Sequence, residues 1–163
     1  AGSAQQTRGR DPQTGEFVGD AHPRVILFVQ IKPDGHIDVF DEDYQCLRLS
    51  DQHIAEGLTR PYSVPTYAVH GPGSAEIRGR LHEAAILARQ CTAKVEDSIK
   101  ELRGALAPDA NGWRRVRGHP RCRHLRSEMV SYAYETGGEK PIKQFDHGPD
   151  AIRGLIWVMR YER

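Results

Sequence analysis

Two rhythms of hydrophobic positions run along this chain. Residues 24–31 (Arg-Val-Ile-Leu-Phe-Val-Gln-Ile) are nearly continuous in β-forming side chains, which predicts a strand buried on both faces. Pro33-Asp34-Gly35 has turn chemistry, and residues 36–40 then alternate, predicting the second arm of a hairpin with one wetter face. The acids Asp41, Glu42 and Asp43 close it. From residue 51 the period lengthens. Ile54 and Leu58 predict a helix over residues 51–60, capped by Ser50 and ended by Pro61 and Pro65. Residues 66–69 form a short strand, followed by the turn His70-Gly71-Pro72-Gly73-Ser74 and a helix carrying Ile77, Leu81, Ala85 and Ala88. A further helix carries Val95, Ile99, Leu102 and Leu106, stops at Pro108, and gives way to a polar loop over residues 109–112. Residues 120–134 are predicted helical, with Cys122, Leu125, Met129, Tyr132 and Ala133 on one face. A charged loop over residues 135–143 leads to a closing helix with Ile152, Leu155, Ile156 and Met159 inward.

Two places in this order suit chemistry. A strand running into a Gly-rich turn and a helix, as at residues 66–77, is where ligands sit in α/β sheets. At the mouth of the closing helix, Asp146, His147 and Asp150 place three potential metal ligands within five residues, with Pro149 suited to the first turn. The simpler reading is that Asp146 caps this helix and Asp150 answers its dipole. Acids near strand ends and at a late helix start are what a ribonuclease-H-like nuclease needs. Two-metal cleavage requires oxygen ligands from separate elements, converging on ions about 3.5–4 Å apart.

Composition narrows the picture. At 163 residues the chain is one domain, residues 1–163, with residues 1–3 reading as a cloning remnant of a piece cut from something longer. The net charge is +1, so no global field dictates a nucleic-acid partner, yet six arginines and no acid lie between Trp113 and Arg126. They are Arg114, Arg115, Arg117, Arg121, Arg123 and Arg126, and they read either as a phosphate-binding face or as a solvated basic loop. Trp113 reads as a packing residue. Three widely spaced cysteines argue against a disulfide framework. His119, Cys122 and His124 lack a fourth zinc ligand at a usual spacing, and Cys122 belongs to an apolar stripe, so it packs in the core. No apolar run is long enough to cross a membrane, and no signal peptide is present.

The ordered set His119-Pro120-Arg121-Cys122, Leu125, Glu128, Tyr132, Pro141-Ile142-Lys143 and residues 146–153 (Asp-His-Gly-Pro-Asp-Ala-Ile-Arg) resembles the C-terminal nuclease domain of tailed-phage terminase large subunits. The resemblance implies an α/β fold, a ribonuclease-H-like mixed central sheet flanked by helices. It implies an endonuclease that uses two Mg2+ or Mn2+ ions to cut concatemeric phage DNA during genome packaging. The ATPase motor domain of that family is absent from this chain, which has no G-x-x-x-x-G-K-[ST] loop. Implied partners are double-stranded DNA, that ATPase domain, the small terminase subunit and the portal, with no membrane, in the cytoplasm of an infected bacterial host. Carried over, the family's first acid falls on Asp11, with Asp20 as its substitute. The second falls on His70, a departure, because a neutral imidazole brings no negative charge to a hard cation. Asp146, His147 and Asp150 supply the late ligands, and the DNA face comprises Arg114, Arg115, Arg117, Lys140 and Lys143. Glu42 reads as a solvated turn acid or as a replacement carboxylate. The alternative to an active nuclease is a DNA- or protein-docking domain of the same fold with an impaired metal site.

Overall fold

The computed structural model describes residues 8–10, 17–20, 24–46, 50–62, 66–69, 74–132 and 146–161. Strands β1 (Arg8–Arg10) and β2 (Phe17–Asp20) pair antiparallel. β3 (Arg24–Ile31) and β4 (Ile37–Gln45) form the predicted hairpin, and β7 (Val116–Gly118) adds parallel to β4, giving the order β3-β4-β7. β5 (Thr66–Val69), α2 (Ser74–Glu83) and β6 (Leu87–Gln90) form a parallel β-α-β unit. The remaining helices are α1 (Ser50–Leu58), α3 (Val95–Leu106), α4 (Arg123–Ser131) and α5 (His147–Tyr161). Antiparallel and parallel pairs in one domain, with helices packed on them, make the mixed α/β architecture the sequence predicted.

One face of β3-β4-β7 carries the main core. Ile37, Val39 and Val116 from the strands meet Leu102 and Ala105 of α3, Cys122 and Leu125 at α4, and Ile152 and Ile156 of α5. The helix predicted from Ile152, Leu155, Ile156 and Met159 is therefore the central one, packing against β3, β5, α3 and α4. Truncating Ile156 to Ala would cost about 2–5 kcal/mol through lost burial and the cavity left behind. Among the described residues no helix is long and apolar enough to cross a membrane.

β4 holds the main correction to the hairpin. Its acids do not close a turn; they lie inside the strand, with Asp41 and Asp43 buried. Phe28 pairs with Asp41 and Val29 with Val39, so Phe40 is an extra residue, a β-bulge. Ahead of the bulge Ile37 and Val39 face the core. Beyond it Glu42 and Tyr44 take that side, where they reach α4, while Asp41 and Asp43 turn to the opposite face. There Tyr62 packs on both Phe28 and Phe40, donates to Asp41 (2.8 Å), and α1 brings His53 to within 3.7 Å of Asp43.

Other expectations also shift. β3 is not buried on both faces: Phe28 is buried, but Gln30 and Ile31 are exposed at an edge position. In α1 the inward residues are His53 and Gly57, whereas Leu58 is exposed. α2 stops at Glu83. Ala85 then takes φ 57°, letting Ile86 N–H return to the Leu81 carbonyl (2.8 Å), and Ala88 lies in β6 rather than in the helix. α4 ends at Ser131, and Ala133 and Tyr134 fall outside the described residues.

Candidate active site at the start of the last helix

The residues that open α5 are held from three directions. Asp146 precedes the helix, is only 6% exposed, and its carbonyl accepts from Asp150 N–H (2.8 Å), closing the first turn. Within that turn, the N–H of Gly148 donates to Glu128 Oε2 of α4 (2.6 Å). Glu128 Oε1 in turn accepts from the Tyr44 hydroxyl of β4 (2.5 Å). Burial first, then the Glu128 hydrogen bond, pushes the Tyr44 phenol well above its usual range, so it stays a donor. Glycine at 148 is a matter of space. A Cβ there would lie 2.9 Å from both Glu128 Oε2 and Leu125 Cδ1.

A second layer fixes α4. Glu42 accepts from His124 N–H (2.8 Å) and Leu125 N–H (2.9 Å), capping that helix from β4, and its Oε1 lies 3.0 Å from His124 Nδ1. Its side chain is only 6% exposed, so it is neither a solvated turn acid nor at the end of the hairpin. Tyr44 stacks on the His124 ring (centroids 4.4 Å apart) and meets the His147 ring edge-on at 6.5 Å.

One turn into α5, Asp150 Oδ1 accepts from Arg153 Nε (2.8 Å). Arg153 is 1% exposed and also donates from its Nη1 to Ser98 Oγ of α3 (2.5 Å). Burial alone would lower its pKa; the hydrogen bond and charge of Asp150 outweigh that and raise it, so the guanidinium stays charged.

Of the predicted ligands, the structure brings Asp146, His147 and Asp150 together at one helix start. Asp11, His70, Lys140 and Lys143 lie outside the described residues, and Asp20 is placed only as the last residue of β2. Among the described residues no three His, Cys, Asp or Glu side chains gather around one point. The donors on α5 nonetheless fit a hard divalent cation: carboxylate oxygens suit it, and Asp146 is a buried one at the positive end of a helix dipole.

The arginine segment is less uniform than its sequence. The Arg114 guanidinium donates to the Leu106 carbonyl at the end of α3. Arg117 pairs with Asp38 (2.9 Å) and lies over the Trp113 ring. Trp113, read as a packing residue, is 56% exposed and packs at the surface, under Arg117, rather than in the core. Arg115, Arg121, Arg123 and Arg126 are exposed. Cys122 is buried, its thiol pushed up to about 11 by burial, in keeping with a core rather than a zinc role.

Sequence reasoning missed Tyr44, Ser98, Arg153 and the structural part played by Glu128. Glu128 had a signal, since it sits three residues after Leu125, on the apolar stripe of its helix, where an acid must be satisfied.

No family model and no curated protein sequence matches the chain. Solved structures do. The large terminase from a thermophilic bacteriophage superposes with a TM-score of 0.69 at 20% identity, over 83% of this chain and 36% of that one. The P22 large terminase nuclease domain gives a TM-score of 0.69 at 18% identity, over 86% of this chain and 77% of that one. This chain thus spans about a third of the first protein's length and most of the second. The fold is that of terminase nuclease domains, ribonuclease-H-like.

Proposed function

We propose that this chain is the nuclease domain of a phage large terminase, a metal-dependent endonuclease that cuts concatemeric double-stranded DNA during genome packaging. The observation that carries the reading is the buried Asp146 carboxylate, held at the start of α5 within a fold shared with two terminase structures. Asp146, with His147 and Asp150 beside it and Asp11 and His70 from earlier in the chain, would hold two Mg2+ or Mn2+ ions. Bound there, such ions supply a water nucleophile at neutral pH and offset charge on the phosphate. The chain's own contribution is position and field. Asp146, in a turn tied to α4 through Gly148 N–H, would supply the negative charge a cation needs, and the helix dipole stabilises that charge between turnovers. Exposed arginines, Arg115 foremost, together with Lys140 and Lys143, hold the DNA backbone without reading its sequence. In the intact protein an ATPase domain would drive the DNA, with the small terminase subunit and portal as partners, in the cytoplasm of an infected bacterium.

The test is plasmid DNA with Mn2+, Mg2+ or EDTA. Nicking or linearisation is expected with Mn2+, weaker with Mg2+ because the set includes imidazoles, and none in EDTA. Asp146→Asn should abolish it with the fold intact. Cleavage that persists in chelator removes the two-metal mechanism. A wild-type protein inert in every divalent metal, and still inert as His70→Asp, leaves a docking domain of the same fold.

A further inference from the structure

Three elements distant in sequence meet at one carboxylate. Glu128, buried on α4, accepts from the Tyr44 hydroxyl of β4 at 2.5 Å and from Gly148 N–H of α5 at 2.6 Å. Both are charge-assisted bonds to a buried carboxylate, the strong class of hydrogen bond. The second lands on the backbone two residues after Asp146, in the turn that Asp146 itself closes through Asp150 N–H. The approach is close: a Cβ at 148 would lie 2.9 Å from Glu128 Oε2 and 3.3 Å from Leu125 Cα. Tyr44 reaches Glu128 because the Phe40 bulge turns it to the core side of β4.

We propose that Tyr44 and Glu128 are positioning residues for the metal-binding acid of α5: a phenol–carboxylate clamp that sets where Asp146 stands relative to the sheet. The clamp rests on the nuclease reading above. Each oxygen of Glu128 accepts one of these bonds, from Tyr44 and from Gly148, and the clamp gives Glu128 a supporting part rather than a ligand's. Groups that orient a metal ligand from behind change metal affinity by about 10–100-fold when removed. The clamp acts through backbone rather than on the ligand side chain, which places it at the lower end of that range.

The experiment is Mn2+ titration followed by the loss of the free-ion EPR signal, on wild type, Asp146→Asn, Tyr44→Phe, Glu128→Ala and Glu128→Gln, with circular dichroism and urea midpoints to report folding. Wild type should bind Mn2+ and Asp146→Asn should lose most of that binding. Glu128→Ala should bind about tenfold more weakly, and Tyr44→Phe several-fold more weakly, at concentrations where both are folded. Glu128→Gln, which keeps an acceptor for Gly148 N–H, should recover much of the loss. In cleavage assays the clamp variants should raise the Mn2+ concentration at half-maximal rate more than they lower the rate at saturation. If wild type binds no Mn2+, the nuclease reading falls and takes the clamp's role with it. If wild type binds through Asp146 but folded Tyr44→Phe and Glu128 variants bind equally well, the clamp alone is overturned. Should Glu128→Ala fail to fold, Tyr44→Phe decides, because it deletes a single hydroxyl.

Discussion

Arg153 and Asp150 face each other one turn apart on α5, with 2.8 Å between Nε and Oδ1, and the arginine is buried to 1% exposure. Its charge has been taken out of water on the strength of that carboxylate and of Ser98. Asp150→Ala should therefore destabilise the protein by about 3 kcal/mol, the low end for breaking a buried pair, because Asp150 keeps some solvent contact. Asp150→Asn retains an acceptor and should cost less, and Ser98→Ala about 1 kcal/mol. Urea denaturation checks the series; a change well under the predicted value for Asp150→Ala would mean the arginine finds other partners. Any loss of cleavage in Asp150 variants has to be read against this stability change first.

Gly148 and Gly104 are both helical glycines, and alanine should move them in opposite directions. At Gly148 an added Cβ meets Glu128 Oε2 and Leu125 Cδ1 at 2.9 Å, and the Glu128 carboxylate is pinned by its own hydrogen bonds. Overpacking of this kind costs about 1–3 kcal/mol. Gly104 of α3 has nothing within 4 Å of the new methyl, so alanine should add roughly 0.5–1 kcal/mol by restricting the unfolded chain. Thermal melts of the two variants give the answer, and equal signs would be incompatible with the packing described.

His53 gives the fold a pH dependence. Burial in α1 holds its imidazole pKa below 6.5, with Asp43, Glu56 and Arg24 as its charged neighbours. In the folded state it is neutral over a range where the unfolded chain takes up a proton. Its contribution is fully present above about pH 6.5 and is lost as pH falls through the folded value. The urea midpoint should drop on acidification from about pH 7.5 to about pH 5.5, and His53→Gln should flatten that interval. An identical slope in the variant would assign the effect to other groups.

The arginine face should prove uneven. Arg117 is engaged with Asp38 and Arg114 with the Leu106 carbonyl, while Arg115 is exposed between them. Arg115→Ala is expected to lower the slope of log K for DNA against log salt by about 0.9 without touching stability. Arg114→Ala should instead loosen the turn after α3. A slope unchanged in Arg115→Ala would remove this face from the DNA contact.

How much of this was legible beforehand divides along a physical line. α3 and α5 could be read because long amphipathic periods carry their own signal, and the β3–β4 hairpin because Pro33-Asp34-Gly35 has the chemistry of its turn. β6 and β7 could not be read: Leu87–Gln90 and Val116–Gly118 are short and carry few β-formers, so their parallel partners decide them, whereas the equally short β5 has Thr66, Tyr67 and Val69. The bulge at Phe40 was equally hidden: it reverses the facing of every later residue in β4, so acids that read as a turn became buried, and Glu42 acquired a structural task. At the site, the Asp146-His147-Asp150 cluster stood out as a local motif. Its supports, Tyr44, Glu128, Ser98 and Arg153, are distant in sequence and meet only once the chain is folded.

The cap that Glu42 provides to α4 comes from a residue 82 positions upstream of His124. A helix of nine residues without its own cap is too short to persist alone in water, so a peptide of residues 119–132 should be mostly coil. α4 thus has to wait for β4, and the start of α5, which leans on Glu128 of α4, has to wait for both. The β3–β4 hairpin, whose arms are neighbours along the chain, is expected first. This dependence predicts that the acidic end of α5 assembles late in folding, and pulse-labelled hydrogen exchange at Gly148 N–H during refolding checks it.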